Sequence, residues 1–280
     1  MTKRYSQVYN TGPVNQAPSE TPLTPSVALV LGQIVGMRIT VSALGQGSLS
    51  PTAIIYGLSN LEIDDANQTP LMNLKQNNSQ NTRTDLALLS YILSPRGTWT
   101  GYGPSVTTSW STANWVLYAP FALARQPLYI KPTIAPYSVW GSGATGGQVS
   151  VAVDVITDDA YTGTVKTLGL KSLELNLDAG DNVIGDKLDK SAPILDIIAF
   201  SSVGDGPLNK INFRSGKEIE LQDAGPGFFT AEDAMLTVSG HQSGVFNLRN
   251  TPFRATPTTY LDINVTSVSP WVLYELEQVD

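Results

Sequence analysis

Apolar and polar residues alternate with a period of two in four stretches of this chain. The stretches are residues 37–42, 149–155, 173–178 and 261–266. A period of two places every second side chain on the same face, which is the pattern of a strand with one buried and one solvated face. The alternation therefore predicts four β-strands.

The two halves of the chain present the same order of landmarks. Residues 54–65 and residues 197–221 each contain an apolar run that leads into a charged turn. Each of these segments predicts a strand, a turn and a second strand. A threonine that can cap a helix precedes residues 86–93 and residues 234–238, so one short helix is predicted in each half. Landmarks repeated in the same order predict two successive all-β domains.

The length of the chain fits this division. A chain of 280 residues accommodates two domains of the common size, about 100 to 150 residues. Residues 158–164 predict a short connector between the halves. We therefore expect the first domain over residues 26–160 and the second over residues 161–280.

The first 25 residues have a different character. They contain Lys3, Arg4 and four prolines, and they show no hydrophobic period. This composition predicts an extended N-terminal arm, residues 1–25, that is either ordered by a neighbouring subunit or frayed.

Composition narrows the classes of function. The chain has 24 Gly and 18 Pro with only 15% charged residues, which is typical of a β protein with long loops. A net charge of -7 and no basic patch argue against direct nucleic-acid binding.

The absence of cysteine excludes disulfides and thiolate metal sites. No apolar stretch reaches the roughly 20 residues of a membrane span, and we expect synthesis in the cytoplasm.

No constellation for catalysis or metal binding is expected. His241 is the only histidine, it lies in a polar turn, and no serine has a nucleophile-elbow sequence. The adjacent carboxylates at residues 64–65 and 158–159 are interpreted as solvated turn residues, because neighbours in a turn point apart. The acidic residues between 178 and 186 do not have the spacing of a calcium loop. Catalytic residues, metal and cofactor are each predicted to be none.

Residues 96–118 combine aromatic side chains with Gly, Ser and Thr, a composition that predicts an exposed loop. Aromatic rings favour the centres of protein interfaces, and they also stack on sugars. The glycines of residues 141–147 lack the ending of a phosphate loop and predict a flexible tip. We expect subunit contacts at these residues: Trp99, Tyr102, Trp110, Trp115, Lys3 and Arg4.

On these landmarks the chain resembles the double jelly-roll major capsid proteins of tailless icosahedral viruses with an internal membrane. It resembles the small corticovirus type most, and the tectivirus and adenovirus lineage more distantly. The segments that carry the resemblance are residues 55–71, 85–93, 119–123, 149–159, 197–221 with its turn at 214–217, and 260–276.

The resemblance implies an all-β fold of two tandem eight-stranded antiparallel jelly rolls with short helices in loops. It also implies a non-enzymatic virion protein, made in the host cytoplasm, that forms pseudo-hexameric homotrimers and tiles an icosahedral shell. The implied partners are further copies of the chain, other capsid or penton proteins, and an internal membrane surface reached by the N-terminal arm.

Two other functions stay open at this point. The aromatic residues also suit a carbohydrate- or receptor-binding β-sandwich protein. The paired aspartates also suit a jelly-roll glycoside hydrolase, in which two carboxylates face each other across a cleft.

Overall fold

A computed structural model of the chain describes residues 3–29, 34–75, 86, 90, 102–118, 127–158, 168–184, 194–201, 208–215, 218–222, 243–247 and 256–278. The chain divides into two units, Met1–Leu168 and Gly169–Asp280. The sequence predicts this boundary between residues 160 and 161.

The described residues of the first unit form strands and two short 3-10 helices. The strands are β1 (Lys3–Asn10), β2 (Val14–Asn15), β3 (Thr21–Pro22), β4 (Ser26–Ala28), β5 (Ile34–Ser48), β6 (Leu58–Asp64), β7 (Pro70–Lys75), β8 (Ser111–Tyr118), β9 (Leu128–Ile134) and β10 (Gly143–Asp158). The 3-10 helices are η1 (Ile54–Gly57) and η2 (Tyr137–Trp140). Leu86 and Ser90 are helical and fall in the helix predicted over residues 86–93, whose other residues lie outside the described part.

These strands form two antiparallel sheets. One has the order β1-β10-β5-β8, with β2 also paired to β10. The other has the order β7-β6-β9-β3, with β4 also paired to β9. Alternate residues of the long strands are buried, so each sheet turns one apolar face toward the core.

The strands predicted at residues 37–42 and 149–155 are confirmed as parts of β5 and β10, and they pair with each other. Val41 lies opposite Val151 and Ile39 lies opposite Val153, and all four side chains are fully buried. Directly opposed β-branched side chains pack well on a pleated surface, so these pairs stabilise the centre of the first core.

The strand predicted from residue 54 begins later than expected. Ile54–Gly57 forms η1, and β6 starts at Leu58. Ile54 and Ile55 are both fully buried, which a strand with one solvated face does not allow for neighbouring residues. A Cβ atom on Gly57 would lie 2.8 Å from a methyl carbon of Val149, so the backbone of η1 lies directly against the core. The following turn and second strand are confirmed by the pairing of β6 with β7.

The N-terminal residues lie on the sheets of the first unit. β1 pairs with β10 from Lys3 opposite Asp158 to Asn10 opposite Ala152, with a bulge near Val8. β2 pairs with β10, whereas β3 and β4 pair with β9. These last three strands have two or three residues each, which is too short to show a period in the sequence.

The described residues of the second unit form eight strands. They are β11 (Leu168–Leu177), β12 (Gly180–Ile184), β13 (Ile194–Ser201), β14 (Leu208–Ser215), β15 (Glu218–Gln222), β16 (Ser243–Asn247), β17 (Thr259–Val265) and β18 (Ser269–Gln278). They pair in the orders β16-β13-β18-β11 and β12-β17-β14-β15. Two groups of four strands are the expected content of a jelly roll.

Three predictions for the second unit are confirmed. Residues 173–177 lie in β11, residues 261–265 are the end of β17, and β14 pairs with β15 on either side of the predicted turn, with Ser215 opposite Glu218. The helix predicted at residues 234–238 and His241 lie outside the described residues. Among the residues that the structure describes, no helix has the length and apolar character of a membrane span.

Candidate functional site

The predicted aromatic contact residues lie in different environments. Trp110 is 44% exposed and directly precedes β8, whereas Trp115, inside β8, is only 1% exposed. Tyr102 is half-buried and its ring stacks with that of Tyr56, at a centroid distance of 6.5 Å and an interplanar angle of 30°. Trp99 lies outside the described residues.

The interpretation of residues 96–118 as one exposed loop is wrong for residues 111–118, which form β8. Trp115 lies opposite the buried Ile39 of β5, so its ring lies on the buried face of the sheet. A ring buried in this way offers no surface to a neighbouring subunit. Of the two described tryptophans in this stretch, Trp110 is therefore the exposed one.

A short turn presents Trp110. The Thr107 hydroxyl donates to the Ser109 carbonyl oxygen over 2.9 Å, and the Ser109 backbone N–H donates back to that hydroxyl over 3.2 Å. The Gly45 N–H donates to the Thr107 carbonyl oxygen over 2.9 Å and ties the turn to β5. These bonds fix the backbone before Trp110. The neighbouring glycines, predicted to be a flexible tip, belong to β10 from Gly143 onward.

The predicted basic contacts lie on β1. Lys3 is opposite Asp158 in the ladder, and Arg4 is exposed. On the same strand Tyr5 is exposed, and the guanidinium carbon of Arg38 lies 4.9 Å from its ring centroid. This distance is that of a cation–π contact. An aromatic and basic surface thus occurs at the edge of the first sheet.

The outer face of the first sheet is polar and mostly uncharged beyond Arg38. The hydroxyls of Ser42 and Thr112 lie 2.8 Å apart, and the Thr40 hydroxyl donates to Asn114 over 2.5 Å. Arg38 donates to Asp154 over 2.9 Å and forms an ion pair with it on this face. Short neutral side chains are cheaper to desolvate than charged ones, so the face suits contact with another protein surface.

Among the described residues, four aliphatic side chains are strongly exposed. Val27 and Leu29 lie in and just after β4, an edge strand of the first unit. Val183 lies in β12, an edge strand of the second unit, and Val268 lies between β17 and β18. Their exposed fractions run from 57% to 78%. The first unit therefore carries an exposed apolar pair beside a sheet edge, and the second unit carries two separate exposed valines.

The carboxylate of Asp64 is buried and paired, which corrects the prediction of a solvated turn residue. Asp64 ends β6 and is 0% exposed. The ammonium of Lys131 on β9 lies 3.0 Å from Glu62 and even closer to Asp64. Burial raises the pKa of the Asp64 carboxyl, and the hydrogen bond from Lys131 opposes that effect. Hydrogen bonds to Asp64 and Glu62 raise the pKa of the Lys131 ammonium.

Asp65 and Asp158 are buried too, which corrects the same prediction for both. The Asp65 carboxylate accepts the backbone N–H groups of Asn67 and Thr69, over 2.8 and 3.0 Å, and so closes the β6–β7 turn. Asp158 lies within β10 and is 7% exposed. Asp159 lies outside the described residues. Carboxylates enclosed in this way are not presented to a polysaccharide, so the described aspartates give no support to a glycoside hydrolase.

No family model matches the chain, and no curated protein sequence matches it. Solved structures do match. The STIV major capsid protein aligns with a TM-score of 0.63 at 14% identity, over 99% of this chain and 97% of that chain. The major capsid protein P2 of bacteriophage PM2 aligns with a TM-score of 0.57 at 11% identity, over 100% and 98%.

A third solved structure also aligns over most of both chains at low sequence identity. The Faustovirus major capsid protein aligns with a TM-score of 0.55 at 8% identity, over 99% of this chain and 89% of that chain. Similarity over nearly the whole length of both partners confirms the fold expected from the sequence. The chain has the double jelly-roll fold of these viral major capsid proteins.

Proposed function

We propose that this chain is a virion structural protein, the major capsid protein of an icosahedral virus, and that it performs no catalysis. The observation that carries this proposal is the double jelly-roll fold, shared over at least 89% of each of three capsid proteins. The buried and paired state of Asp64 and Asp65 supports a structural role, because these carboxylates stabilise the sheet and its turn.

Three copies of the chain form a capsomer. Two jelly rolls in each copy give six barrels around a threefold axis, so a homotrimer has a pseudo-hexameric outline and tiles a shell. The proposed partners are therefore further copies of the chain and, at special positions of the lattice, other capsid or penton proteins. Lys3 and Arg4 add positive charge at the N-terminus, which suits an anionic membrane surface inside the shell.

The exposed aliphatic side chains supply contacts between copies. One surface, Val27 with Leu29, belongs to the first unit, and another, at Val183 on the edge strand β12, belongs to the second. Contact between two different patches of identical chains is heterologous, and heterologous contacts close into rings when the rotation allows. Burying each side chain contributes about 1.5 to 3 kcal/mol when it is completely removed from water.

Light scattering coupled to size-exclusion chromatography tests the proposal. We expect a mass about three times the 30.0 kDa of the chain, or larger shells. Leu29→Asp or Val183→Asp should reduce this mass without loss of the β-type circular dichroism spectrum. Asn10→Asp is the matched control, since it adds the same charge at an exposed position of β1. A wild-type chain that stays monomeric at high concentration contradicts the proposal.

A further inference from the structure

We propose that the surface around Trp110 binds a neutral oligosaccharide, a function in addition to shell assembly. Three tryptophans have side chains that the structure describes. Trp115 and Trp140 are 1% and 0% exposed, whereas Trp110 is 44% exposed. Keeping an indole in water forgoes the free energy of burying it, so an exposed tryptophan on a fixed backbone indicates a surface with a partner.

The surface is rigid before any ligand arrives. The turn of residues 107–109 is closed by its own hydroxyl and bound to Gly45, and β8 begins immediately after Trp110, with Ser111 opposite Ala43. A side chain held on such a backbone loses little conformational entropy on binding. Trp110 therefore has the preorganisation that weak stacking interactions need.

The described segments next to Trp110 in the fold carry no charged side chain. Residues 39–61, 102–118 and 132–153 contain no Asp, Glu, Lys or Arg, although the whole chain contains 41 of them, 17 basic and 24 acidic. Backbone pairing brings parts of these three segments together: β8 pairs with β5, and β5 pairs with the start of β10. Such a surface has no countercharge for an ionic ligand, and complementarity favours an uncharged partner.

Polar groups of the kind that recognise sugars lie close to Trp110 along the backbone. Thr108 and Ser109 directly precede Trp110 and are exposed, and Gln46, also exposed, follows the Gly45 that is bonded to the turn. The negative face of the indole attracts the weakly positive C–H groups of a pyranose ring, while the polar side chains bond its hydroxyls.

The neighbouring ribbon of β5 and β10 requires glycine at one position. Gly47 has a φ of +87°, and a Cβ atom there would lie 2.5 Å from the Gly143 carbonyl oxygen. This left-handed conformation and close approach require glycine, so no side chain projects from the ribbon at that position.

This assignment replaces the subunit contact that the sequence predicts for Trp110. One set of variants distinguishes sugar binding from subunit contact at this residue. The probes are uncharged gluco-, manno- and galacto-oligosaccharides, with a sialylated oligosaccharide as the charged comparison. Binding to the full-length protein is measured by saturation-transfer NMR and calorimetry, and the oligomeric mass of every variant by light scattering.

We expect at least one neutral oligosaccharide to bind more tightly than the sialylated one. Trp110→Ala should weaken binding about tenfold or more, the cost of losing a stacked ring together with its buried area. Trp110→Phe should retain part of the affinity. Asn176→Ala, which shortens an exposed side chain of β11 in the second unit, should leave the affinity unchanged.

Three results would overturn the assignment: no neutral oligosaccharide binds, binding survives Trp110→Ala, or Trp110→Ala lowers the oligomeric mass. The last result would return Trp110 to a subunit contact and leave the capsid proposal intact. Conversely, a monomeric wild-type protein that binds sugar through Trp110 would refute the capsid proposal alone.

Discussion

The indole N–H of Trp140 donates a hydrogen bond to the side-chain oxygen of Gln16, which lies 124 residues earlier in the chain. The Gln16 amide also donates to the Ala135 carbonyl oxygen over 2.9 Å, and its backbone N–H donates to the Gly147 carbonyl oxygen over 2.9 Å. Gln16 is 7% exposed and Trp140 is fully buried. One N-terminal residue thus satisfies polar groups that follow β9, end η2 and lie in β10.

Gln16→Leu should destabilise the first unit. The substitution leaves the Trp140 N–H and the Ala135 carbonyl oxygen without their buried partner, and each unsatisfied group costs about 1 to 3 kcal/mol. We expect a loss of about 2 to 4 kcal/mol in the free energy of unfolding, measured by urea denaturation. The control is Gln148→Leu, because the Gln148 amide makes one surface bond to Asn15 over 2.8 Å. Equal losses in the two variants would contradict this prediction.

Deletion of residues 1–25 should lower the stability of the fold as well as impair assembly. The sequence alone predicts a removable arm, but the deletion takes away β1, β2, β3 and Gln16 and leaves one edge of β10 without a partner strand. We expect a clear fall in melting temperature or loss of soluble protein. A Lys3→Ser, Arg4→Ser double variant keeps the strand and serves as the control. A truncated chain with the wild-type melting temperature would restore the removable-arm prediction.

Lys131→Met should destabilise the protein by about 2 kcal/mol or more at neutral pH, because it leaves the buried Asp64 without its cation. Lys131→Arg keeps the positive charge and should lose much less. Urea denaturation of both variants measures the difference. Equal stability of the methionine and wild-type proteins would show that Asp64 is stabilised by other groups.

The deficit of Lys131→Met should grow as the pH is raised from the ordinary aspartate pKa, about 3.9, toward neutrality. Burial makes the pKa of Asp64 higher in the folded state than in the unfolded chain, and removing Lys131 removes an effect that lowers it. A group with a raised folded pKa stabilises the fold below its unfolded value, about 3.9, and this stabilisation is lost as the pH rises through the folded value. Adding Asp64→Asn should abolish the pH-dependent part of the deficit. A deficit that does not change with pH would contradict this assignment.

Tyr56 should titrate later than an ordinary tyrosine. Burial, and to a smaller extent the neighbouring Tyr102, raises the pKa of Tyr56 to about 12. The difference in phenolate absorbance between the wild type and Tyr56→Phe should therefore have a midpoint near 12 and not near the usual value of about 10. Because ionisation favours the unfolded chain between these values, alkaline stability should fall over the same range. A midpoint near 10 in folded protein would mean that the Tyr56 ring reaches water.

The local alternation of apolar and polar residues is sufficient to predict the long strands. The alternation over residues 37–42 and 149–155 marks the buried face of β5 and β10 directly. Alternate residues of a strand lie on the same face, so Ala113, Trp115 and Leu117 share one face of β8, and Trp110 does not lie on it. The same alternation therefore distinguishes the buried Trp115 from the exposed Trp110. That pattern was present in residues 111–118 and would have identified the strand.

Other features depend on distant parts of the chain, so local pattern does not contain them. Asp64 lies in a turn-like sequence, yet its burial and its ion pair come from β9, more than 60 residues later. The very short strands β2, β3 and β4 are strands only because β10 and β9 supply their partners. Gln16 is polar, and only the folded structure places Trp140 beside it.

The pairing of β1 with β10 has a consequence for the order of events during synthesis. Residues 3–10 leave the ribosome before their ladder partners, residues 152–158, which emerge about 140 residues or more later. At about 5 to 20 residues per second, β1 waits roughly 7 to 30 s as an unpaired strand. The positive charges of Lys3 and Arg4 discourage aggregation during that wait, since positive charges are a device by which strand edges avoid pairing with other chains.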